Sequence, residues 1–423
     1  MQKSIFIFLL VFVGITNVKS QEIKPTMAAN QFEQPQSDSV EFKNVKLSVG
    51  GDFAMQFQAL AHHSNLMGKD LIPLGHNFNL PTANMNLNGD LATGIKVNLA
   101  LYLSARHHNE TWVKGGYLLI DQLPFIKSEA VKKAMNYLTL RIGVMELDYG
   151  DAHYRRSDNG NVINNVFVGN YVMDAFTTAP GLEIMGRHKG FLLMGGITSG
   201  TLKPALTGYN ATAKSYSPYY IEKQLNAYWK AGYDKQITES FRLRGTLSGY
   251  HSPNHYGTTI YNGDRAGSRY YLVMNSKNNS ADDIDITKGH TSGNFGPGSV
   301  DKLNAFMFNL MMKYKGIELF GTYETATGET AANVHYEFIQ TAIEGLYRFG
   351  GSEQFYAGGR INMVENKDDN RAVNRLQINA GWYMTKNILI KVEYVKQQYD
   401  KFTKIYGDNA GFEGVIGEAT ISF

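Results

Sequence analysis

The chain of 423 residues contains no cysteine, so neither a disulfide framework nor a lipid-anchored amino-terminal cysteine is open to it. A dominant charge is missing as well. Lys and Arg number 41 against 38 Asp and Glu, a balance that gives no reason to expect nucleic acid as a partner. Hydrophobic residues make up only 43%, and after the apolar run from Ile5 to Ile15 no second stretch is long enough to cross a bilayer as a helix.

That single run follows Lys3 and closes with Val18, Lys19, Ser20 and Gln21. It reads as a secretory signal peptide over residues 1–20, too short to span as a mature helix. Cleavage after Ser20 removes Lys3 and Lys19 and no acid, leaving 39 of the 41 basic residues against 38 acids. Residues 21–44 are polar, with Pro25 and Pro35, and read as a mobile N-terminal extension.

What the chain has in quantity is 26 Tyr, 23 Phe and 43 Gly, the material of aromatic girdles and turns. From Lys46 onward the sequence alternates. Leu47, Val49, Phe53, Met55 and Phe57 share one face, and Ser48, Asp52, Gln56 and Gln58 the other. Further segments repeat the pattern: Leu138, Leu140, Ile142 and Val144 against Thr139 and Arg141, then Leu376, Ile378, Ala380 and Trp382 against Arg375, Gln377 and Asn379. A period of two is a strand signal, and roughly ten residues suffice for a tilted strand to cross a bilayer. Strands in lipid must close into a barrel, because each unpaired backbone group in hydrocarbon costs several kcal/mol.

The expected fold is therefore all-β, a transmembrane antiparallel β-barrel of about 16 strands over residues 45–423. Strands fall near 46–60, 83–93, 95–106, 111–122, 137–147, 179–188, 190–200, 221–234, 239–251, 302–315, 316–326, 335–349, 353–364, 373–385, 388–400 and 412–423. Tight links at Gly94, Lys189, 235–238, Gly316, 350–352 and 385–387 then share one end. The long segments 61–82, 148–178, 201–220, 252–301 and 401–411 share the other, the loop sorting of an outer-membrane barrel. Leu123 to Asn136 is a longer turn on the short end, with helix-forming residues. Trp229, Tyr233, Trp382 and Tyr394 are placed on the lipid face as interfacial aromatics.

Two groups of residues carry the functional expectation. Segment 148–178 is placed to fold inward and narrow the channel, with Asp148, Asp151, Arg155, Arg156 and Asp158 setting the field at the constriction. The lumen face is assigned Lys96, Arg141, Arg187, Lys230, Arg242, Arg244, Arg348, Arg360 and Arg375, interleaved with Glu183, Glu318, Glu324, Glu344 and Glu393. Cations lead slightly, which implies at most a weak anion preference. Facing charges of both signs can also simply brace the wall.

Catalytic and metal chemistry find little support. His62 and His63 beside Ser64, and His107 beside His108, read as solvated strand ends with no base-orienting partner. Asp282, Asp283 and Asp285 lack the spacing and the glycine of an EF-hand. No metal, no cofactor and no enzymatic activity are expected.

The stretches LTLRIGVMELDYG at 138–150, APGLEIMGR at 179–187 and GFLLMGGITSG at 190–200, with the terminal Phe423, resemble the porin families of the bacterial outer membrane, and more loosely the phosphate-selective porin group. The Ser20-Gln21 signal end and the Asn/Lys-rich composition resemble Bacteroidetes proteins. The resemblance implies a sixteen-stranded channel in the cell outer membrane, often a homotrimer, with basic residues along the pore and recognition by the barrel-assembly machinery through Phe423. This chain carries no lysine-rich ladder, a departure from the phosphate-selective pattern. The function expected is a porin-like channel for passive diffusion of small hydrophilic solutes or anions. The alternative is a loop-presenting surface or accessory protein without an open pore, with 252–301 as its contact surface.

Overall fold

The computed structural model describes residues 32–34, 42–64, 71–79, 82–104, 111–156, 162–202, 209–210, 215–216, 225–253, 258–262, 269–275, 292–330 and 333–423. The expected signal peptide lies outside the described residues, as do Asp158, His107, His108 and the three aspartates at 282–285.

Sixteen long strands form the wall: β1 Lys46–His63, β2 Thr82–Ala92, β3 Ile95–Ser104, β4 Thr111–Ile120, β5 Leu138–Glu146, β6 Thr178–His188, β7 Phe191–Thr198 and β8 Asn226–Thr238 make up the first half. The second half comprises β9 Phe241–Ser252, β10 Lys302–Tyr314, β11 Ile317–Glu329, β12 His335–Phe349, β13 Phe355–Asn366, β14 Ala372–Thr385, β15 Ile388–Asp400 and β16 Ala410–Ser422. Each pairs antiparallel with its sequence neighbour, and β16 returns to β1 in the register Asp52↔Ser422 through His63↔Gly411. The backbone of Phe423 seals this seam, its N–H donating to Gly51 O at 3.0 Å and its carbonyl accepting from Gly51 N at 2.9 Å. The barrel sheet is closed among the described residues, as lipid requires. No described helix is long and apolar enough to cross a membrane.

Short turns gather at one end. At the β6–β7 link Lys189 and Gly190 both have positive φ, 52° and 93°, the pair of left-handed residues that a two-residue hairpin needs to match strand twist. The long turn between β4 and β5 carries helix α1, Glu129–Met135, with the Ser128 side chain capping Val131 N. It inserts no extra hairpin, so the strand number stays at sixteen.

Alternation sorts the side chains as the pattern predicts. Ile343, Ile361 and Ile378 point outward and are more than half exposed, while their neighbours Glu344, Arg360 and Gln377 point inward and are buried. Tyr347, Phe349, Phe355 and Trp382 stack in series on the outside near the short-turn end, and Trp229 meets Phe306 toward the other. A continuous apolar belt bounded by aromatics has no place in water. The protein has the fold of a transmembrane β-barrel.

Candidate functional site: the barrel lumen

The described residues of segment 148–178, 148–156 and 162–178, lie against the inner wall of the barrel. Asp151 begins the descent: its N–H donates to Asn309 Oδ1 at 2.9 Å, and its carboxylate takes a bidentate grip from Arg244, both contacts 2.8 Å, with Thr246 Oγ1 at 2.8 Å. A 3-10 turn, Ala152–Arg155, then aims the two arginines apart. Arg155 pairs with Glu318 at 3.0 Å and Glu344 at 3.2 Å, over the ring of Phe320. Arg156 turns back onto Asp174 at 2.9 Å, over Phe176. Asp148 takes Arg141 at 2.6 Å and the hydroxyl of Tyr154.

Beyond these pairs the loop crosses the lumen as irregular backbone, and the wall satisfies its peptide groups one by one. Lys391 donates to the carbonyls of Asn165 (2.6 Å) and Phe167 (3.0 Å), Arg360 to Gly169 (2.8 Å), and Arg375 to Asn170 (2.6 Å). Glu393 accepts from Val168 N at 2.7 Å, and Asn362 from Val172 N at 2.7 Å. Gln340 does both for Met173, its Oε1 accepting from the N–H at 3.1 Å and its Nε2 donating to the carbonyl at 2.8 Å. Each buried peptide group left unpaired costs about 1–3 kcal/mol, so these polar wall residues hold the loop in place. Arg348, Arg360 and Arg375, assigned to the lumen face, are committed within the protein: Arg348 to Glu318 at 3.2 Å, the other two to loop carbonyls.

A second loop joins the first. Arg269 reaches Glu418, Tyr270 donates to Glu393 Oε1 at 2.6 Å, and Tyr271 exchanges two hydrogen bonds with the Gln58 amide, at 2.9 and 3.0 Å. The two loops meet at Gly169, where a Cβ would stand 2.1 Å from the Tyr270 hydroxyl, so only glycine fits. His62, expected to be a solvated strand end, is a clamp: Nδ1 faces Ile72 O at 2.9 Å and Nε2 accepts from Met274 N at 2.8 Å. The described part of 252–301 thus turns inward.

The lumen is also less polar than its alternating wall suggests. Leu60, Phe338, Val364, Val395, Phe412 and Ile416 point inward toward the loop end and pack with Val168, Val172, Met173 and Val273. The reason is that the inward loops present apolar side chains, and the wall matches them there. Cavities among the described residues include one of about 10 Å³ beside Arg155 and Arg156 and one of about 80 Å³ along β1–β4, the latter lined by Ser48, Asn88, Lys96, Asn98 and Tyr117. Lys96 forms no ion pair among the described residues.

The remaining expected cations fall into one cluster. Arg141 grips Glu183 at 2.8 Å; Arg242 pairs with Asp234 at 2.7 Å; Arg187 donates to the backbone carbonyl of Gln34. Lys230 and Arg244 meet Glu33 at 3.1 and 2.8 Å. Burial alone would raise the Glu33 carboxyl, but Lys230 and Arg244 together outweigh it and hold it well below the usual carboxylate range. Asp151 is lowered by the same two cations against the same opposing burial.

Sequence reasoning passed over Glu33, Lys391, Asp174 and Arg269. Lys391 was within reach, since it shares the inward parity of Glu393. Glu33 and Arg269 lie outside any alternating segment, and nothing local marks them.

No family model matches the sequence, and no curated protein matches it. Among solved structures the chain is similar to the anion-selective porin from Comamonas acidovorans, with TM-score 0.55, 8% identity, and coverage of 90% of this chain and 100% of that one. It is similar to OprB of Pseudomonas putida at TM-score 0.51, 10% identity, 89% and 94% coverage. The outer membrane channel DcaP of Acinetobacter baumannii gives 0.50, 11%, 90% and 99%. At these identities the likeness is one of fold: the chain has the closed sixteen-strand barrel architecture of outer-membrane porins.

Proposed function

We propose that the protein is an outer-membrane channel for passive diffusion of small hydrophilic solutes, anions among them, with segment 148–178 as its constriction. The observation that carries this reading is the loop stretched across the lumen on wall-donated hydrogen bonds, with a wetter wall left along β1–β4. In it Asp148, Asp151, Arg155 and Arg156 act as pins, each neutralised by a partner, so they fix the width of the passage more than its charge. Charge preference then falls to Lys96, the cation beside the larger cavity. The anion-selective neighbour lends this a fold-level analogy only. The homotrimer and the engagement of Phe423 by assembly machinery belong to the same reading.

Planar bilayer recording of the purified protein tests it. Small, discrete conductance steps are expected, growing severalfold when 162–176 is replaced by a short glycine linker. A second reading is favoured by the near-complete burial of the inward face on β10–β16: a sealed barrel that presents its outer loops to a partner. Silence in the bilayer from both wild type and loop-replaced protein would decide for it.

A further inference from the structure

Phe32, Glu33 and Gln34 precede β1, which starts on the short-turn end, yet they sit inside the barrel among side chains of β6, β8 and β9. Arg244 holds the Glu33 carboxylate with two nitrogens, at 2.8 and 2.9 Å, and Lys230 adds a third contact at 3.1 Å. The Phe32 ring lies under the Arg244 guanidinium, 4.0 Å from its centre, and meets Tyr154 edge-on at 5.9 Å. All of this is buried: Phe32 is 6% exposed and Arg244 1%.

Glu33 joins a dense cluster of paired charges. Lys230, Arg242 and Arg244 face two fixed carboxylates, Asp151 and Asp234, while Asp148 is taken by Arg141. Glu33 adds a further carboxylate, reached by both Lys230 and Arg244. A guanidinium fork backed by an ammonium selects a planar carboxylate over a neutral amide.

We propose that Lys230 and Arg244 form a carboxylate-binding subsite of the lumen that the chain's own Glu33 fills, so that the N-terminal segment is a displaceable internal ligand. Small carboxylate-bearing solutes compete for the same place. The inference rests on the channel reading for its consequence, solute passage, but not for the subsite itself. A tethered ligand has an effective concentration in the mM range, so a free competitor must be supplied at about that level or above.

Because the chain lacks cysteine, Gln34→Cys in the full-length protein, reconstituted in vesicles, gives one reporter thiol. Its rate of modification by a small water-soluble maleimide reads whether the segment is docked. Adding Glu33→Gln is expected to speed the reaction about tenfold, the response to losing one charge-assisted contact. N-acetylglutamate, the probe carboxylate, is expected to speed it while Glu33 is in place, and its neutral isostere N-acetylglutamine is not. Equal rates with and without the Glu33→Gln change, or equal effects of the two probes, overturn the subsite. Bilayer current from the same proteins separates the two ideas. Responsive labelling without current removes the channel and leaves the subsite, whereas current with indifferent labelling removes the subsite alone.

Discussion

On β11–β15 the inward side chains Glu324, Gln340, Asn362, Gln377 and Glu393 are all fully buried, whereas on β3 Lys96, Asn98 and Ala100 keep part of their surface in water. Both stretches obey the same alternation and the same pairing, so neither of these separates them. Loops do. The β11–β15 wall offers long amides and charges at mid-strand, groups able to pair with peptide N–H and C=O, and segment 148–178 comes to rest there. The β3 wall offers two asparagine-and-lysine positions and little else, and no described loop residue covers it as completely. A lumen can therefore be closed on one side and wet on the other without any change in the barrel itself.

The contrast can be broken most forcefully at Arg360. Arg360→Met removes the donor to Gly169 O and one partner of buried Glu344, and should cost about 3–5 kcal/mol, the range for breaking a buried pair. The urea midpoint of the refolded barrel in vesicles measures this. Gln340→Leu is milder: it keeps the side chain's bulk but orphans both peptide groups of Met173, a loss of about 1–3 kcal/mol. Faster hydrogen exchange at Met173, with strand amides unchanged, is the expected signature. Lys96→Met on the wet side should leave stability within about 0.5 kcal/mol, as for a solvated surface change. Its effect should appear instead as a shift of reversal potential toward cations in a salt gradient. If Arg360→Met were as harmless as Lys96→Met, the distinction between the two walls would be lost.

How much of this was legible beforehand depends on the range of the contact. The wall was legible strand by strand, because inward and outward neighbours alternate locally and turns carry their own glycines; β12 and β15 match their expected bounds, 335–349 and 388–400. Segment 148–178 was singled out by its length and charge. Its partners were not: Arg155 and Arg156 look alike in sequence, yet one reaches β11 and β12 and the other returns to its own loop. The inward cations were found by parity, but nothing in Arg360 or Arg375 says that a loop carbonyl will meet them. His62 was misread for the same reason.

The amino-acid order by itself determined a cylinder with an apolar outside, a polar inward parity, sixteen crossings and loops sorted by end, because all of these follow from period-two alternation and turn chemistry over a few residues. What occupies the lumen was decided only by the tertiary structure. Glu33 and Arg244 stand 211 positions apart, Val168 and Glu393 225. Such pairs exist only after the wall has closed and brought distant strands around one small volume, where every buried charge and peptide group must find whichever partner the closed barrel leaves within reach.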